Sequence, residues 1–150
     1  MNRLRNVAAL MLLLAVPLLA ADPLNGTWKM RSSGDPYGVR KQIVKVESVP
    51  GGTRFSYDIE LGNGTPVAYY YITKMDGAEV PVYSSGQEIM KIRVTRVGPN
   101  EYDATSESPG TTTKFKTTIS SDGKNLVTDG TFQQTGGKTI PSHVVFDRVN

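Results

Sequence analysis

Asn25-Gly26-Thr27-Trp28-Lys29-Met30 carries the only tryptophan of a 150-residue chain. It lies just past a hydrophobic leader and just before some 115 residues of short, evenly spaced strand patterns. Residues 24–31 read as the first strand of an antiparallel barrel, with the indole of Trp28 plugging one end.

Working downstream, turn signals punctuate the chain at regular intervals: Ser32-Ser33-Gly34-Asp35-Pro36, Pro50-Gly51-Gly52, Gly62-Asn63-Gly64, Met75-Asp76-Gly77, Ser84-Ser85-Gly86, Gly98-Pro99-Asn100, Pro109-Gly110, Asp122-Gly123 and Thr135-Gly136-Gly137. Between them the period is two. Phe55, Tyr57 and Ile59 alternate with Arg54, Ser56, Asp58 and Glu60; Met90, Ile92 and Val94 alternate with Lys91, Arg93 and Thr95. Phe115, Thr117 and Ile119 alternate likewise with Lys114, Lys116 and Thr118. Each such segment has one buried and one wet face. The short piece 79–82 contains Pro81, which confines it to an edge or a bulge. Nine or ten strands result, and no convincing 3.6-residue period longer than two turns interrupts them.

Short loops make neighbours in sequence neighbours in space. An open sheet of this size would expose long edges, and a sandwich needs longer crossovers than these loops provide. The predicted fold is all-β: a single antiparallel up-and-down barrel of 8–10 strands.

Upstream, Met1–Arg5 is short and positive, residues 7–20 are apolar, and Ala20-Ala21-Asp22 sets small residues before a charge. That is the three-part pattern of a secretory signal peptide, 1–21, and its apolar run is shorter than the ~20 residues of a spanning helix. The barrel domain is then 22–150, with a periplasmic or secreted location and no stable membrane insertion after cleavage. Without Arg3 and Arg5, the 17 Lys and Arg become 15 against 14 Asp and Glu. A balance of +1 leaves no footprint for nucleic acid or for an anionic membrane. The chain has no cysteine, which excludes disulfides, thiolate metal sites, a cysteine nucleophile and a lipid-attachment cysteine.

Gly26-Thr27-Trp28 resembles the Gly-x-Trp signature of the lipocalin and avidin group of barrels. Residues 71–82 and Ser121-Asp122-Gly123-Lys124 are similar to segments of small exported bacterial lipocalin-like proteins, a group without an established activity. The resemblance implies that a basic residue from the last strand packs across the tryptophan, and Arg148 in Phe146-Asp147-Arg148 stands where it would be. The chain departs from these groups in three ways. No helical pattern precedes the last strand, a single Trp28 cannot line a biotin site as avidins do, and Arg148 is followed by Val149 and Asn150 rather than by the Arg-x-Tyr of fatty-acid-binding barrels.

Residues able to carry chemistry do not converge. His143 is the only histidine; Ser142 or Asp147 beside it on one strand would not assemble as a triad does. Asp58 with Glu60, and Glu101 with Asp103, are spaced for a glycosidase pair, but both lie opposite the apolar phase and face water. No metal site and no cofactor is implied.

The aromatic set is the functional candidate. Phe55, Tyr57, Tyr69, Tyr71, Tyr102, Phe115, Phe132 and Phe146 fall on the inward phase, and a buried hydroxyl requires a partner. The expected ligand-lining residues are Tyr57, Tyr69, Tyr71, Met90, Tyr102, Phe115 and Phe132, with Trp28 and Arg148 as a structural plug. The expected function is non-enzymatic binding of a small apolar or aromatic ligand inside the barrel. The alternative is a filled barrel acting through its surface, as an envelope interaction protein or an enzyme inhibitor. Tyr70, Ile72, Val80, Val82 and Tyr83 would then form the contact patch.

Overall fold

The computed structural model describes residues 21–33 and 38–149, and all its regular elements are strands. The leader, Ala21 apart, lies outside the described residues. The strands are β1 Gly26–Ser33, β2 Val39–Val49, β3 Gly52–Leu61, β4 Pro66–Thr73, β5 Asp76–Ser84, β6 Gln87–Gly98, β7 Glu101–Ser108, β8 Thr111–Ile119, β9 Asn125–Gln134 and β10 Thr139–Val149. Each pairs antiparallel with the next, and β1 pairs with β10, so the ring closes. The expected up-and-down barrel is therefore present, with ten strands. Hairpins turn where the sequence supplies left-handed backbone: Gly110 and Gly123 take φ of 78° and 69°, which a side chain would strain.

One end is packed solid. Leu24, Trp28, Val46, Phe55 and Val94 are fully or almost fully buried there. The indole Nε1 donates to the Leu24 carbonyl at 2.9 Å. Trp28 and Arg148 are register partners, and the guanidinium carbon lies 4.2 Å from the ring centroid, a cation–π contact of roughly 0.5–2 kcal/mol. Arg148 also donates from Nε to the Gly123 carbonyl and from Nη1 to the Asn25 carbonyl, both at 2.7 Å. It thereby ties residues 22–25 across the barrel floor. Asp22 adds a second tie, pairing with Arg96 at 2.6 Å. The Gly-x-Trp spacing now has a cause. Gly26 sits at φ 144°, and a Cβ there would collide with the Arg148 Nη1 that crosses it.

The seam between β4 and β5 is thin. Tyr70 opposite Tyr83 is its one ladder pair, with Ser84 Oγ donating to the Ala68 carbonyl at 2.7 Å. Pro81 lies on β5 between two register shifts against β6. A residue without an N–H is tolerated there because the β4 side of the strand behaves almost as an edge.

Candidate ligand-binding site

The pleat brings the inward aromatics of β3 and β4 into register: Tyr57 faces Tyr69, and Phe55 faces Tyr71. Their rings stack at 4.6 Å and 5.0 Å between centroids, Tyr57 lies 6.0 Å from Tyr71, and Phe55 lies 5.8 Å from Tyr102. The result is a ladder of five rings descending to the floor. The Tyr57 and Tyr71 hydroxyls are 3.3 Å apart. Burial pushes the phenols of Tyr57, Tyr69, Tyr71 and Tyr102 well above their ordinary pKa, and neighbouring phenols add to this at all but Tyr69. All four are neutral at physiological pH.

In a ring of ten strands the wall opposite β3 and β4 is five strands away, at β8 and β9. There the inward side chains include several hydroxyls beside Phe115 and Phe132. Thr117 and Thr128 are register partners 3.0 Å apart between oxygens, and Ser106 and Thr113 share a short hydrogen bond. Ser142 on β10 is buried beside them. Gly130 faces inward between Phe115 and Ser142, and the Phe115 ring occupies the space a Cβ would need. Phe132 meets Phe115 edge-on at 5.2 Å.

Between these walls lies a cavity of about 310 Å³. Tyr57, Tyr69, Tyr71, Met90, Tyr102, Phe115 and Phe132 all border it, whereas Phe55 lies below it in the floor packing. Trp28 and Arg148 sit at the floor, outside the lining. Gln42, Ser106, Ser108, Thr113, Thr117, Thr128 and Ser142 also border the cavity, and none of them stands out as a lining residue in the sequence. The available signal was phase: Thr117 shares a face with Phe115. Serine and threonine suit either face of a strand, however, so their chemistry does not announce which one they occupy.

The outer patch needs correction. Val82 is fully buried, pointing into the core, and Val80 packs against the core from the same phase. The apolar run 80–83 places both faces of one strand in sequence order, and the pleat separates them. Tyr70 and Tyr83 remain outside, stacked at 5.6 Å, with Arg54 lying 4.4 Å over Tyr70 and Ile72 exposed nearby.

His143 is exposed, with Nδ1 2.5 Å from Asp129, while Ser142 points the other way into the barrel. Asp147 binds Arg31 on the outer face. No triad forms among them. The carboxylates of Glu60 and Glu101 are paired outside with Arg40 at 3.3 Å and Lys116 at 2.8 Å. No group of three acidic or histidine side chains that could hold a metal occurs among the described residues. A second hollow, of about 270 Å³, borders Glu79, Lys91 and Arg93, whose charges pair with one another at 2.6–3.4 Å.

No family model matches the chain, and no curated protein matches it. Among solved structures it is similar to one described as the crystal structure of fluorescent protein UnaG wild type, with a TM-score of 0.55 and 18% sequence identity, covering 85% of this chain and 98% of the other. At that identity the likeness is one of fold: a closed barrel of the same kind.

Proposed function

We propose that this chain is an exported, non-enzymatic binding protein that holds one small apolar or aromatic ligand within its barrel. The observation that carries the reading is the cavity of about 310 Å³ between the tyrosine ladder and the hydroxyl wall. Its volume is at the lower end of the range for small-molecule sites, about 300–1,000 Å³, and its lining is the usual mixture of apolar surface and a few polar groups. A ligand the size of two fused rings fits that space. Apolar burial supplies the binding energy, and hydroxyls fix the orientation. Lipocalin-like kinship and a periplasmic or secreted location belong to the same proposal, supported by Gly26-Thr27-Trp28, Arg148 and the leader pattern.

Native mass spectrometry of protein purified from its own host tests the reading. The expected result is a retained adduct that dissociates under denaturing conditions and is reduced in Ser142→Leu, which extends into the cavity and narrows it. A ligand-free mass in the wild type, together with no uptake of any small aromatic compound, would defeat it.

A further inference from the structure

We infer that the cavity takes an uncharged ligand and excludes carboxylates: a flat, neutral molecule whose ring lies against Tyr57 and Tyr69 while its hydroxyl or carbonyl group meets the Ser and Thr hydroxyls opposite. The inference deepens the binding-barrel reading and rests on it.

Among the described residues, no Asp, Glu, Lys, Arg or His borders the cavity. Two cations share the inward phase of their strands, Arg96 on β6 and Arg148 on β10, and both lie at the floor and are engaged. Arg148 donates to the Gly123 and Asn25 carbonyls and covers the indole. Arg96 is paired with Asp22 at 2.6 Å and donates to the Pro99 carbonyl at 3.0 Å. Neither borders the cavity. Moving either toward a ligand would unfasten the segment that seals the barrel. On the hydroxyl wall the backbone N–H groups are already committed, because β7 to β10 pair along nearly their whole lengths.

A carboxylate entering this space would therefore lose its hydration and gain only neutral donors, the Ser, Thr and Tyr hydroxyls and the Gln42 amide, with no opposite charge. Burying an ion on those terms is strongly unfavourable. A neutral hydroxyl or carbonyl is served well by the same groups. Each Ser or Thr oxygen both donates and accepts, and the hydroxyl rotates to suit. The neutral phenols of the ladder reinforce the contrast, since they present a broad apolar face to a flat ring.

Isothermal titration of the wild-type protein with two probes of matched shape, naphthylmethanol and naphthoate, tests the inference. At neutral pH the alcohol should bind and naphthoate should bind more weakly by roughly 100-fold, the ratio for a buried charge left without an ionic partner. As pH is lowered toward the pKa of the free acid, naphthoate should gain affinity while the alcohol stays constant. Naphthoate binding as tightly as the alcohol at neutral pH would overturn the inference and leave the binding barrel standing. If neither probe binds, the inference fails, and native mass spectrometry free of any adduct would then bring down the reading beneath it.

Discussion

At the floor of the barrel the inward side chains are Leu24, Trp28, Val46, Phe55 and Val94, packed without solvent and bordering no cavity. Above them the barrel turns inward Tyr57, Tyr69, Thr113, Thr128 and Ser142, around space that protein atoms do not fill. Both regions obey one alternation of in and out, set by the pleat. They differ in what the inward positions hold. The floor is filled by large apolar groups and cross-tied by Arg148 and Arg96, whereas the upper part is bounded by tyrosine rings on one side and by hydroxyls with the Phe115–Phe132 pair on the other. Stability is thus concentrated at one end, which leaves the other end free to stay hollow.

The sharpest way to break that contrast is Trp28→Ala. Removing the indole from the filled end should cost about 3–5 kcal/mol, measured by denaturant melts. A variant as stable as the wild type would mean that the floor is not where the fold is secured.

Alkaline titration tests the other end. The phenols of Tyr57, Tyr69, Tyr71 and Tyr102 have folded pKa values above the ordinary 10.0. They keep protons that the unfolded chain releases. Their contribution is complete below pH ~10 and is lost as pH rises toward the folded values. Stability should fall by about 1.4 kcal/mol per pH unit for each such phenol. Phe at Tyr69 should remove one share of that slope, and an unchanged slope would mean that this ring is wet.

Volume additions distinguish the two ends by a smaller margin. Val94→Leu at the floor should cost about 1–3 kcal/mol through overpacking. Ser142→Leu, which extends into the cavity, should cost less in the same melts. Equal costs would argue that the upper part is as full as the floor. The smallest expected change is Thr128→Val, about 1 kcal/mol for the lost hydrogen bond to Thr117.

Much of this is legible in the sequence. Phase puts Tyr57, Tyr102 and Phe115 on inner faces, and Pro81 assigns its strand to an edge or a bulge. Gly26, Trp28 and Arg148 converge at the floor as the resemblance implied, and the structure supplies the reason in the guanidinium crossing Gly26. Val82 was misplaced because apolar residues occupy both phases of 80–83, so alternation had nothing to contrast. The hydroxyl wall was overlooked for a related reason: Thr113 and Thr128 would look the same in sequence if they faced water. The cavity itself lies beyond what periodicity can report. Alternation says which side chains turn inward, while strand number and stagger decide whether they meet in the middle.

The Arg148 tie also orders events in time. It joins Asn25 to a residue 123 positions later, so its hydrogen bond spans nearly the whole barrel domain. Such a distant contact is entropically costly to form before the intervening hairpins have shortened the loop. Closure of β1 on β10 is therefore expected to come last in folding. Because the sole tryptophan sits at that joint, its fluorescence provides a built-in clock for the final step.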